Sequence, residues 1–106
     1  MIGIINYGHG NLGSIQNAFS KIDSKSTIES NPKNLNLYTH LILPGVGSFK
    51  KCMDVIQAQG WEKHIKASIQ EGACLLGICL GMQLLFETGE EDGVSPGLGL
   101  INGKVK

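Results

Sequence analysis

The 106-residue sequence contains no arginine at all. Arginine's planar fork is the usual bidentate partner of phosphate and carboxylate groups, and lysine offers only a point charge in its place. Any phosphate chemistry in this chain would therefore fall to backbone amides. Nine lysines balance nine acidic residues, and the formal net charge is +0. With no block of basic residues, neither nucleic acid nor an anionic membrane is expected as a partner. No apolar run approaches the roughly 20 residues that a membrane-spanning helix needs. The sequence opens on Met1-Ile2-Gly3-Ile4-Ile5 without a basic leader or a small-residue cleavage site, so a cytoplasmic location is expected. Cys52, Cys74 and Cys79 are an odd set without metal-ligand spacing. They suit a reducing compartment, and neither a metal nor a cofactor is expected. There is no internal repeat and no low-complexity tract, and the length suits one domain with a real core and excludes two.

Ile2 to Asn6 reads as a buried strand stopped by Tyr7-Gly8-His9-Gly10. Asn11 is a good N-cap for a helix whose apolar residues Leu12, Ile15, Phe19 and Ile22 recur at helical spacing and should pack on a sheet. Ser26 to Ser30 forms a second strand, Asn31-Pro32 opens a polar connection, and Leu41-Ile42-Leu43 is a third strand broken at Pro44-Gly45. Ser48 caps a helix with Phe49, Cys52, Met53 and Ile56 on one face. A further helix runs from Trp61 through Ile65 and Ile69 to a stop at Gly72. Ala73 to Ile78 is a near-continuous apolar run, as in a central parallel strand covered on both faces. Leu80 to Glu87 reads as a helix, Gly89 to Gly99 as a loop, and Leu100-Ile101 as the start of another strand. Strands alternating with helices imply an α/β fold, a parallel sheet with helices on both faces. In such sheets reactive groups gather at the carboxyl ends of the strands.

One turn at such an end carries chemistry. Gly77-Ile78-Cys79-Leu80-Gly81 has the form G-x-C-x-G between a strand and a helix, the thiol counterpart of the serine nucleophile elbow. A sharp turn holds the central residue in a strained conformation, and side chains two positions to either side would strike the turn, so both favour glycine. The helix N-terminus favours a thiolate, and the Leu80 amide would face an oxyanion beside the sulfur. Cys52, on a helix's apolar face, and Cys74, inside a strand, read as buried packing residues.

The run Leu76 to Glu87 (LGICLGMQLLFE) resembles the nucleophile region of the class I glutamine amidotransferases, and within them the glutaminase subunits of imidazole glycerol phosphate synthases. Asn6 to Ser14 (NYGHGNLGS), Leu43 to Phe49 (LPGVGSF) and Gly97 to Val105 (GLGLINGKV) are similar to the same family, in the family's order. The resemblance implies a flavodoxin-like sheet, of which residues 1–106 would be the N-terminal half of a glutaminase domain. It also implies attack of Cys79 on the side-chain amide of glutamine, with ammonia leaving and water releasing glutamate from a thioester. Carried over residue by residue, it makes Val46 and Leu80 the oxyanion hole, and Gly47, Gln83 and Glu91 contacts to glutamine. Gly10 and Asn11 match the interface to a (β/α)8-barrel cyclase or synthase partner that receives the ammonia. The Glu90-Glu91-Asp92 run also reads as a plain solvated acidic loop. Two positions depart from the family, which usually has aspartate where Asn6 stands and arginine where Gly13 stands. These departures leave open whether the ammonia serves histidine biosynthesis or the amidination of a surface-polysaccharide sugar.

A cysteine nucleophile needs a general base held by a third group, which the family supplies as a His-x-Glu pair downstream. His9, His40 and His64 are not followed two residues later by an acid. They read as solvent-facing or interface histidines, and the chain is expected to be inactive alone, as a truncated domain or a non-catalytic docking module. Its sheet should expose an unpaired edge and apolar faces, favouring self-association. The rival reading is a dinucleotide-binding module. Gly8-His9-Gly10-Asn11-Leu12-Gly13 spells G-x-G-x-x-G, with Glu29 placed as a ribose-binding acid. Against it, Asn6-Tyr7 separates the apolar strand from the first glycine.

Overall fold

The computed structural model describes residues 1–90 and 94–105. Four short strands, β1 (Ile2–Ile5), β2 (Ser26–Glu29), β3 (His40–Leu43) and β4 (Cys74–Gly77), form a parallel sheet in the order β2-β1-β3-β4. This is the flavodoxin-like order, whose switch point lies between β1 and β3. The turns that leave those two strands, Gly8 to Gly10 and Pro44 to Gly47, therefore meet at the carboxyl edge.

Local signals place the first three helices. Asn11 Oδ1 accepts the Ser14 amide at 3.3 Å and caps α1 (Leu12–Lys21), and Ser48 Oγ accepts the Lys51 amide to cap α2 (Phe49–Ala58). α3 (Trp61–Gln70) closes with the amides of Gly72 and Ala73 folding back onto the carbonyls of Ile69 and Ser68. In α2 the four residues Phe49, Cys52, Met53 and Ile56 are all buried. They meet Trp61 and Ile65 of α3 and Ile5, Leu41 and Leu43 of the sheet in one core. Between β2 and β3 the chain makes a 3₁₀ helix over Pro32–Leu37, capped by Asn31, which buries Leu35.

The opposite face is thinly covered. α1 buries no residue completely, and Ile22, expected on its packing face, is 68% exposed beyond its last turn. Ile4, Ile42 and Leu76 lie in one row across β1, β3 and β4. Their exposures of 0%, 4% and 54% show the cover running out toward β4. The expectation of a central strand covered on both sides is thus corrected. β4 is the outer strand, and Cys74, expected to be buried, is exposed. An apolar groove of about 200 Å³ runs along this face past Phe19, Ile42 and Leu76.

The expected helix from Leu80 to Glu87 is also corrected. α4 covers only Leu80–Gln83, and β5 (Phe86–Gly89) follows. The carbonyls of Leu84, Leu85 and Phe86 accept the amides of Leu98, Leu100 and Gly99, so long-range pairing draws the chain out of the helix. The expected loop from Gly89 to Gly99 holds a short strand, β6 (Ser95–Pro96), antiparallel to β5. β7 (Ile101–Val105) pairs parallel to β5 on its other side.

Candidate active site

Cys79 lies two residues beyond the end of β4, past the strand geometry. Its φ of 57° and ψ of −127° put a non-glycine residue in a region essentially reserved for glycine. The Ile78 amide is held by the Leu43 carbonyl at 3.0 Å, the Gly81 amide by Ile78 at 2.9 Å and the Met82 amide by Cys79 at 3.0 Å. The two flanking glycines are there for space. A Cβ on Gly77 would sit 2.6 Å from the Met82 Cα and 2.7 Å from the Gly81 carbonyl oxygen, and one on Gly81 would overlap the Leu43 carbonyl oxygen. Tight closure leaves the Cys79 side chain exposed at the carboxyl edge. Because α4 is a single turn, little of the macrodipole expected from a longer helix remains. Backbone geometry is the main thing the elbow supplies.

The Pro44 to Gly47 turn is packed against this elbow. A Cβ on Gly45 would lie 2.7 Å from the Gly81 nitrogen and 3.0 Å from the Tyr7 hydroxyl. Four successive carbonyls leading through the turn are each engaged. Leu43 accepts from the Ile78 amide and Gly45 from the Leu80 amide at 3.2 Å. Pro44 accepts from the Tyr7 hydroxyl at 2.6 Å, and Val46 from the Cys52 thiol at 3.5 Å. Burial, together with the adjacent Cys52 thiol, pushes the Tyr7 hydroxyl far above its usual range, so it acts as a neutral donor. The Leu80 amide, one of the two expected oxyanion donors, is occupied by a backbone carbonyl in this conformation.

A cavity of about 220 Å³ opens beside the elbow, lined by Gly10, Asn11, Ser14, Val46 and Cys79 among others. Thus Cys79, Val46 and the expected interface residues Gly10 and Asn11 come together, and Leu80 follows directly in the chain. Gly47 is exposed with φ +91°, Gln83 is half-buried at the end of α4, and neither lines this cavity. Glu91 lies outside the described residues. Sequence reasoning assigns Cys52 to buried packing and gives Tyr7 no role at the site, because the Tyr7–Pro44 bond spans 37 residues and the Cys52–Val46 bond, though only six residues long, has no recognisable motif.

The rival dinucleotide site loses its acid. Glu29 accepts from the Asn31 amide, the Asn34 side chain and the Tyr38 hydroxyl. Desolvation works to raise its pKa, but these hydrogen bonds outweigh it and hold the carboxyl below the usual value. Gly13 has no atom within 4 Å of a notional Cβ, so it makes none of the close helix–strand contact that the third fingerprint glycine serves. His9 stacks on Tyr7 at 5.6 Å, and His40 is exposed at the start of β3. His40 pairs in register with Cys74 at the start of β4, at the opposite end of the strand from Cys79. Among the described residues, no group of three or more His, Cys, Asp or Glu is placed to hold a metal ion, and no helix is long and apolar enough to cross a membrane.

The family model for class-I glutamine amidotransferases matches residues 4–99. This chain is a class-I glutamine amidotransferase family member. The chain is 50% identical over 105 residues to the imidazole glycerol phosphate synthase subunit HisH of Bacillus licheniformis, covering 99% of this chain and 50% of that protein. The HisH subunit of Sulfurimonas denitrificans is 51% identical, with 99% and 51% covered. A crystal structure of a glutamine amidotransferase superposes with a TM-score of 0.82 at 20% identity, covering 97% of this chain and 54% of that one, a likeness in fold. The chain therefore spans about half the length of the curated relatives it matches. Its α/β class and parallel sheet agree with the sequence reading.

Proposed function

We propose that this chain carries the nucleophile-bearing part of a glutaminase that makes ammonia for imidazole glycerol phosphate formation in histidine biosynthesis. The observation that carries the reading is the Cys79 elbow, a strained cysteine between two sterically required glycines and packed against the Pro44 to Gly47 turn. In the proposed reaction the Cys79 thiolate attacks the carboxamide carbon of glutamine. A carbon–sulfur bond forms and the carbonyl electron pair moves onto oxygen. Collapse of that oxyanion expels the nitrogen, protonated, as ammonia, and water then cleaves the thioester to glutamate and the free thiol. The HisH relatives support the histidine route over sugar amidination.

Two requirements follow for the site. None of the three histidines is followed by an acid at the family's spacing, so the proton-transfer base must come from outside residues 1–106. The Leu80 amide must be released from Gly45, which rotation of the single Gly45–Val46 peptide would do while turning the Val46 amide toward the elbow. Gly47, Gln83 and Glu91 are assigned to glutamine. Gly10 and Asn11, on the cavity rim beside Cys79, are assigned to docking a (β/α)8-barrel synthase, which shields ammonia from protonation in bulk water. The reading places the protein in the cytoplasm.

The test is covalent labelling with a glutamine-derived chloroketone, mapped by mass spectrometry. Cys79 should be labelled well ahead of Cys74, which is also exposed, and free glutamine should protect it. Equal labelling of the two thiols, or no protection, refutes the assignment. The purified chain alone should release no ammonia from glutamine above background.

A further inference from the structure

We infer that Tyr7 and Cys52 are positioning residues that clamp the Pro44 to Gly47 turn on either side of one movable peptide. The clamp is visible in the alternation of the turn's partners. The carbonyls of Leu43 and Gly45 are held by backbone amides of the elbow strand, Ile78 and Leu80. Those of Pro44 and Val46 are held by side chains from elsewhere in the fold, the Tyr7 hydroxyl at 2.6 Å and the Cys52 thiol at 3.5 Å. Both side chains are buried, with exposures of 2% and 0%. Tyr7 reaches in from the end of β1, and Cys52 from the first turn of α2.

The functional consequence rests on the glutaminase reading, in which the Leu80 and Val46 amides form the oxyanion hole. Opening the hole requires the Gly45 carbonyl to leave the Leu80 amide. If the neighbouring carbonyls were free, the turn could instead drift as a whole, and the Val46 amide would point nowhere in particular. With Pro44 and Val46 pinned, the motion left is rotation of the peptide between them. Gly45 has no Cβ to obstruct it, in a space where one would strike the Gly81 nitrogen. Burial keeps Tyr7 protonated far above its ordinary range, so its donation to Pro44 does not titrate away at physiological pH. A buried thiol suits the second pivot. Its weak, long bond tolerates small adjustments of the turn better than a hydroxyl's shorter one.

The experiment compares the full chain with Tyr7→Phe, Cys52→Ala and Cys52→Ser, reading amide hydrogen exchange at Leu80 against Ile4 and Ile42 of the sheet. Loss of either pivot should speed exchange at Leu80 about tenfold, the scale of one hydrogen bond, with the sheet amides unchanged. Cys52→Ser keeps a donor and should stay within about threefold of the parent. Unchanged Leu80 exchange in both Tyr7→Phe and Cys52→Ala overturns the inference, as does equal acceleration of sheet and turn. If those variants fail to fold, the unmutated chain decides. The opening that exposes Cys52 to alkylation and the opening that frees the Leu80 amide should then agree, and a hundredfold disagreement overturns the clamp. The ratio of Cys79 labelling by the glutamine chloroketone to labelling by iodoacetamide should also fall in Tyr7→Phe and Cys52→Ala. If the parent shows no preference for the chloroketone, the glutaminase reading fails, and the exchange result still decides the clamp.

Discussion

Replacing Cys79 by glycine should stabilise the fold while removing the proposed nucleophile. The side chain is exposed, so little packing is lost. The backbone at φ 57° and ψ −127° lies where side chains are strained, at a cost of about 1–3 kcal/mol. Glycine relieves that strain, but its freer unfolded state offsets about 0.5–1 kcal/mol of the gain. The net stabilisation over alanine is about 1 kcal/mol, equal to about 4–8 °C in melting temperature for a domain of this size. Alanine is the control because it also abolishes the thiol and keeps the strain. At an ordinary exposed position, glycine would be the less stable of the two by about 0.5–1 kcal/mol, so the sign of the difference isolates the backbone term. Calorimetric or fluorescence melts of Cys79→Gly and Cys79→Ala decide the matter. If Cys79→Gly melts at or below Cys79→Ala, the elbow is not strained and the steric account of its glycines fails with it.

The remaining predictions concern the frame around the elbow. Gly81→Ala drives a Cβ into the backbone of Leu43 and Pro44 and should cost about 3 kcal/mol or more, the upper range of overpacking. Gly13→Ala, in open space on α1, should stabilise by about 0.5–1 kcal/mol, and urea melts of the pair separate steric need from mere glycine content. Glu29 has a depressed folded-state pKa, so its contribution is present above the ordinary value of 4.5 and is lost as pH falls through the lower folded value. The urea midpoint should accordingly drop between pH 6 and pH 3, and an equal drop in Glu29→Gln would assign the effect to other groups. Leu76, 54% exposed on the outer strand, should drive concentration-dependent self-association seen by sedimentation, and Leu76→Lys should reduce it. Unchanged association in that variant would place the contact elsewhere.

The elements legible in the sequence are those whose cause is local. The Asn11 and Ser48 caps, the Phe49-Cys52-Met53-Ile56 face of α2 and the stop at Gly72 all depend on residues within a turn or two of one another. The elbow is legible partly for the same reason, because a side chain on Gly77 would strike Gly81 and Met82 within the turn, whereas the need for glycine at 81 comes from the distant Leu43 carbonyl. What escaped depends on distant chain. Leu80 to Glu87 has helical character, yet the amides of Leu98 to Ile101 bond the carbonyls of Leu84 to Phe86 and the chain is extended from Phe86 onward. Ala73 to Ile78 reads as doubly covered because an apolar run cannot show whether a helix lies over its second face. The same ambiguity makes Cys74, exposed in the fold, look buried in the sequence. Tyr7 and Cys52 look like ordinary core residues until the turn they hold is in place.

The occupied Leu80 amide follows from the same steric economy. Leu80 is only 8% exposed, and a buried N–H without an acceptor costs about 1–3 kcal/mol. A buried backbone donor at this position therefore needs either water or an internal acceptor. With Gly45 pressed against the elbow, its carbonyl is the acceptor within reach, at 3.2 Å. A neutral substrate carbonyl would exchange one neutral hydrogen bond for another and gain little by displacing it. A developing oxyanion is different, because a hydrogen bond to a charged group is worth about 1.5–3 kcal/mol against about 0.5–1.5 for a neutral one. Under the proposed reaction, the peptide between the two pivots is driven round only as charge appears on the substrate oxygen. The stabilisation is then concentrated in the transition state, where it accelerates the chemistry, and largely withheld from bound glutamine.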